Sequence, residues 1–110
     1  METRLQPLRI PAGWTVTYSK LHEIDPLDVP DDGRYVFLDE DLLQMRHDRF
    51  NRLLDVGWYP PGNVADGAYG LVVYEGDFNG RLLFEHRTPS RSQMVAEVER
   101  LLEEVSQGRL

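Results

Sequence analysis

Arg52-Leu53-Leu54-Asp55-Val56-Gly57-Trp58-Tyr59-Pro60-Pro61 is the stretch on which the fold turns. Leu54, Val56 and Trp58 are apolar at alternate positions, the period-two signature of a strand with one face against a core. The other face carries Leu53, Asp55, Gly57 and Tyr59. Pro60 and Pro61 then end the ladder, because neither can donate a backbone hydrogen bond. The stretch reads as a central strand.

Immediately upstream, Arg34 to Asn51 admits two readings. Tyr35-Val36-Phe37-Leu38 is a short apolar run with the character of a brief strand. Asp39-Glu40-Asp41 ahead of Leu42-Leu43 has the form of the acidic first turn of a helix, with Arg46, His47, Arg49 and Arg52 near its C-terminal end. Leu43, His47, Phe50 and Leu54 would then share one helical face. The rival is a hairpin, with Leu42 to His47 as one strand, Asp48 to Asn51 as the turn and Arg52 onward as the partner strand. The helix makes Gly57 a C-terminal cap but strands Trp58 and Tyr59 in a loop. The hairpin uses the alternation through Trp58 and is the favoured reading.

Further out, the signals are plainer. Trp14 to Leu21 sets Trp14, Val16 and Tyr18 against Thr15, Thr17 and Ser19, a first strand of aromatic and β-branched residues. Met1 to Ala12, with two prolines and no clean period, reads as an extended or frayed leader. His22 to Gly33 reads as a loop ending in an Asp31-Asp32-Gly33 turn. Tyr69 to Glu75 is apolar on both sides, which suits a strand inside the sheet. Arg81 to Arg87 is the next strand, after the loop Gly76 to Gly80. A helix follows, capped either by Thr88 with Pro89 at the first helical position or by Ser90 with Gln93 at capping-box spacing. Met94, Val98, Leu101, Leu102 and Val105 form its apolar stripe, and Gly108 stops it. Short connections favour pairing between successive strands. The expectation is an α+β fold: one domain over residues 1–110, an antiparallel β-meander of about five strands with the C-terminal amphipathic helix packed on one face.

The charge is unevenly placed. The chain of 110 residues carries a net charge of −7, and Leu21 to Asp41 alone contains eight acids against one base, Arg34. The acids are Glu23, Asp25, Asp28, Asp31, Asp32, Asp39, Glu40 and Asp41. The rest of the chain is balanced, with 11 acids and 11 bases. Such a segment repels nucleic acid and anionic membrane and attracts basic partners. As an interface, its carboxylates speed association with a basic protein and form charge-assisted hydrogen bonds to its Lys and Arg groups. Ile24, Leu27, Val29, Tyr35 and Phe37 are interleaved as candidate apolar anchors. The plainer reading is a solvated loop that aids solubility. With no cysteine, no disulfide or thiolate site can form. No apolar run is long enough to span a bilayer and the N-terminus lacks the layout of a secretion signal, so a cytoplasmic protein is expected.

Catalytic constellations are lacking. His22, His47 and His86 are scattered, without the ligand count a zinc site requires. Asp25, Asp28, Asp31 and Asp32 lack the alternation, central glycine and closing glutamate of a calcium loop. None of Ser19, Ser90, Ser92 and Ser106 sits in a nucleophile elbow. Asp55 is the best candidate for a perturbed carboxyl, although an ion pair across the sheet with Arg81 or Arg87 is its more ordinary role. No cofactor, metal or catalytic residue is assigned. The expected role is a non-catalytic binding protein whose contact residues are the eight acids. A structural or adaptor module using the exposed sheet face, or a small enzyme built on Asp55, His47 and His86, stays open as an alternative.

Four pieces carry a resemblance: Ile-Pro-Ala-Gly-Trp-Thr-Val (Ile10 to Val16), Asp-Leu-Leu-Gln-Met (Asp41 to Met45), Leu-Leu-Asp-Val-Gly-Trp-Tyr-Pro (Leu53 to Pro60) and Leu-Val-Val-Tyr (Leu71 to Tyr74). Together they are similar to a group of small, acidic, uncharacterised bacterial proteins that resemble immunity proteins of polymorphic or contact-dependent toxin systems. The resemblance implies a cytoplasmic protein that binds and blocks a cognate toxin domain. It implies no catalytic residues. Many such toxins attack nucleic acid and present a basic groove, which an acidic protein could cover.

Overall fold

Five antiparallel strands lie in the sheet in the order in which the chain makes them: β1 (Trp14–Ser19), β2 (Leu43–His47), β3 (Arg52–Tyr59), β4 (Ala68–Glu75) and β5 (Arg81–Thr88). The computed structural model describes residues 3–110. Among the described residues two α-helices complete it, the single turn α1 (Arg34–Phe37) and the long α2 (Arg91–Ser106), with short 3-10 turns at Pro26–Asp28 and Asp31–Gly33. The expected meander with a helical lid is therefore the fold, and β3 is its central strand. No helix among the described residues is long and apolar enough to cross a membrane.

The core sits between α2 and one face of the sheet. Cross-strand rows Leu43–Val56–Leu71 and Met45–Leu54–Val73 stand in register over three strands, and each of these side chains is at most 1% exposed. Met94, Val98, Leu101, Leu102 and Val105 of α2 cover them and are themselves fully buried. Burying a side chain of this size stabilises the fold by about 1.5–3 kcal/mol. The stripe read from the helical period is thus the buried face of α2.

Residues 42 to 59 form the hairpin, not the helix. Leu43, Met45 and His47 are all buried at period two, which no helical stripe reproduces. The turn ends on Asn51, whose φ of 56° lies in the left-handed region that asparagine tolerates. His47 is a packing residue there. Its ring lies edge-on to Trp14 and stacked on Phe50, with centroids 5.3 and 5.1 Å away, and the Phe50 amide donates to its Nδ1 at 3.3 Å.

Of the two candidate caps for α2, Ser90 is the one used: the Gln93 amide donates to its hydroxyl at 3.2 Å. The box closes differently from the expected form. Gln93 Oε1 accepts from the Thr88 hydroxyl at 2.7 Å, while the Ser90 amide donates to that same hydroxyl. At the far end Gly108, at φ 74°, lets the Gly108 and Arg109 amides reach back to the Val105 and Glu104 carbonyls, the Schellman arrangement.

One expectation is corrected. Tyr35 to Leu38 is not a brief strand but the turn α1 and its cap, with the Leu38 amide donating to the Arg34 carbonyl. Among the described residues no strand runs beside these, and a single helical turn carries Leu38 into the core at 1% exposure, so tertiary packing overrides their β propensity. The leader, apart from Met1 and Glu2, which lie outside the described residues, is extended but tied down. Leu5 bridges His22, the Gln6 amide donates to the Leu21 carbonyl at 2.8 Å, and the Arg9 amide donates to Glu99 on α2 at 2.7 Å.

Candidate functional site

The acidic segment crosses from β1 to β2 and is fixed at intervals by buried side chains: Leu21, Val29, Leu38 and Leu42. Backbone bonds hold its last stretch against the sheet. The Trp58 amide donates to the Asp39 carbonyl, the Leu42 amide to Val56 and the Gly62 amide to Leu38, at 2.8, 3.0 and 2.7 Å. Asp39, Glu40 and Asp41 therefore do not begin a helix. They form a bent, non-helical bridge between two buried leucines, which leaves Glu40 and Asp41 exposed.

The eight acids separate into two groups. Glu23 pairs with Arg4 at 2.8 Å, Asp25 with Arg91 at 2.8 Å and Asp39 with Lys20 at 2.6 Å. These three fasten the segment to the leader, to α2 and to the end of β1. Arg4 holds the Glu23 carboxyl below its ordinary range, and the hydrogen bond from Lys20 does the same for Asp39 against the opposing effect of burial. Asp28, Asp31, Asp32, Glu40 and Asp41 are exposed, and among the described residues none has a basic partner within ion-pair distance.

Of the five proposed anchors, Leu27 and Tyr35 are on the surface, at 87% and 69% exposure, while Val29 is buried. Ile24 and Phe37 are half-buried against the core. Val36, at 55% exposure, is a further exposed apolar side chain beyond these five. Leu27 stands between two grooves, of about 600 Å³ beside Tyr35, Arg34, Pro60 and Pro61 and about 540 Å³ beside Asp25, Val64 and Pro89. Tyr35 is seated over Gly62, where a Cβ would come within 2.5 Å of its ring. Bare carboxylates and projecting apolar side chains thus share one end of the sheet.

No known protein family, curated protein or solved structure matches the chain.

From Glu40 the acidic strip turns onto the face of the sheet away from α2. The Tyr59 hydroxyl donates to the Glu40 carbonyl at 3.3 Å. The Tyr59 ring packs over Gly70, where a Cβ would meet it at 3.0 Å. Asp55 lies beneath. The expected pairing with Arg81 or Arg87 does not occur: Arg87 instead donates to the Tyr59 carbonyl at 2.9 Å, and Arg81 stands in register with Glu75. Asp55 is only 5% exposed. Burial, with the charge of Asp41 adding to it and the amide of Gln44 opposing it, pushes its carboxyl up to about 6. Burial is also the main reason that the Tyr59 hydroxyl is raised, with Asp55, Glu40 and Asp41 adding to it. Among the described residues no three His, Asp or Glu side chains are grouped to hold a metal ion.

Proposed function

We propose that the protein is a non-catalytic binding protein, an immunity-type inhibitor that covers the basic surface of a cognate toxin domain with the acidic segment between β1 and β2. One observation carries the reading: Leu27, Tyr35 and Val36, the three most exposed large apolar side chains among the described residues, stand in the same segment as five carboxylates with no basic partner among those residues. Apolar anchors with a charged surround are the composition of a protein interface, where the anchors supply affinity and the charges supply rate and specificity. Glu23, Asp25 and Asp39 serve by holding the segment in shape. Asp28, Asp31, Asp32, Glu40 and Asp41 face the partner in place of nucleic-acid phosphate, and the work is done in the cytoplasm.

The test uses a purified basic toxin domain, sought among the products of the neighbouring genes. The triple variant Asp28→Asn, Asp31→Asn, Asp32→Asn is expected to lower the association rate constant about tenfold at low salt and to flatten its salt dependence. A rate and salt dependence identical to those of the unaltered protein would refute the electrostatic reading.

A further inference from the structure

On the sheet face away from α2 there is a cavity of about 390 Å³, within the size range of sites that take small groups. Asp55 forms its floor. Its Oδ2 is buried and has no hydrogen-bond partner, although Gln44 stands directly opposite on β2. The walls include Tyr59, Tyr74, Phe78 and Glu85, with Tyr74 and Phe78 meeting edge-on at 5.6 Å. Arg87 also lines the cavity, but its guanidinium donates to the Tyr59 carbonyl and makes no ion pair with Asp55 or Glu85.

A buried carboxylate oxygen without a partner is costly, and the cost falls when a cation with hydrogen-bond donors reaches it. Asp55 and Glu85 outnumber Arg87 in the lining, and the charge of Asp41 also acts on Asp55, so the local field favours positive charge. Aromatic faces add attraction for an ammonium or guanidinium group and contact for its alkyl stem. A metal ion would lack ligands here, since the walls are mostly aromatic and aliphatic.

We propose that this cavity receives one basic side chain of the protein partner, a lysine or arginine, with Asp55 as its counter-ion and Tyr59, Tyr74 and Phe78 enclosing its stem. The proposal rests on the reading of a basic partner and adds a second point of contact on the sheet face, joined to the acidic segment through Glu40 and Asp41. Oδ2 lies below the surface, so the entering head group turns a rim side chain aside. Phe78 is half exposed and sits on the β4–β5 loop, outside the strands.

The cavity can be tested without the partner. Titration of the isotope-labelled protein with n-butylammonium or n-butylguanidinium chloride, at pH 7.5 and constant ionic strength, is followed by amide chemical shifts. Saturable shifts at Asp55, Tyr59, Gly70 and Tyr74 are expected, with millimolar affinity. Asp55→Asn is expected to weaken binding at least tenfold and Phe78→Ala a few-fold, both with native-like spectra. No saturable shift in the unaltered protein, or equal binding by Asp55→Asn, overturns the proposal. In the toxin complex, Asp55→Asn is expected to raise the dissociation constant at least tenfold, and an unchanged constant also overturns it. The triple variant of Asp28, Asp31 and Asp32 is expected to bind n-butylammonium normally. Failure of the acidic segment's own test and failure of the cavity therefore give different results.

Discussion

Asp55 and Gln44 face each other across the β2–β3 ladder, and Oδ2 of Asp55 is nevertheless left without a hydrogen-bond partner. On the next strand the facing residue is Val72, so the central strand carries a carboxyl on its solvent-side face that the sheet itself does not neutralise. This has a direct consequence for stability.

Burial raises the Asp55 carboxyl to about 6 in the folded protein, against about 4 in an unfolded chain. An acid with a higher folded-state value binds its proton more tightly when folded. Its stabilising contribution is present below pH about 4 and is lost as pH rises to about 6, by about 3 kcal/mol in all. Asp55→Asn should remove this fall and make the protein more stable than the unaltered chain at pH 7.5. Urea unfolding of both proteins between pH 4 and pH 8 measures the difference. A constant gap between the two curves would rule out titration of Asp55 in that window. The paired acids Glu23 and Asp39, whose values are lowered, act in the opposite sense and are common to both proteins.

Gly57 is required by a close approach. A Cβ there would lie 2.0 Å from the Glu40 carbonyl oxygen and 2.9 Å from the Tyr59 hydroxyl. Gly57→Ala must push the bridge between Leu38 and Leu42 off the sheet, at a cost of about 3 kcal/mol. Gly70→Ala meets only the Tyr59 ring, at 3.0 Å. A side chain yields more readily than backbone, and a cost of about 1 kcal/mol is expected. Chemical denaturation of the two variants should rank them in this order.

Leu27 and Tyr35 should matter to binding and not to folding. At 87% and 69% exposure, Leu27→Ser and Tyr35→Ser are expected to change stability by no more than about 0.5 kcal/mol. Each is expected to cost about 1–2 kcal/mol of affinity for the basic partner proposed above. Calorimetric titration beside thermal unfolding separates the two effects.

Leu101 is the reverse case. It is fully buried where α2 meets the sheet, and Leu101→Ala should cost about 2–5 kcal/mol through lost burial and the cavity left behind. Glu103→Ala, on the exposed side of the same helix, should change stability by no more than about 0.5 kcal/mol. Urea midpoints compared at equal slope report both.

The periodicities alone determined the strands, their order and the buried stripe of α2. Alternation in Trp14 to Ser19, Leu43 to His47 and Arg52 to Tyr59, and the stripe from Met94 to Val105, are local consequences of which side chains must leave water, and short connections leave successive strands little choice but to pair. The confinement of charge to Glu23 through Asp41 was equally legible, as was the suspicion attached to Asp55. Tertiary structure decided the rest. Whether Tyr35 to Leu38 would be strand or helical turn depended on the absence of a neighbouring strand. Which acids would be paired depended on Arg4, Lys20 and Arg91 arriving from other parts of the fold. That Asp55 would lack an arginine was settled by Arg87 reaching the Tyr59 carbonyl instead. Side-chain pairing is a property of distances between residues far apart in the chain, and a period read along the chain carries no such distances.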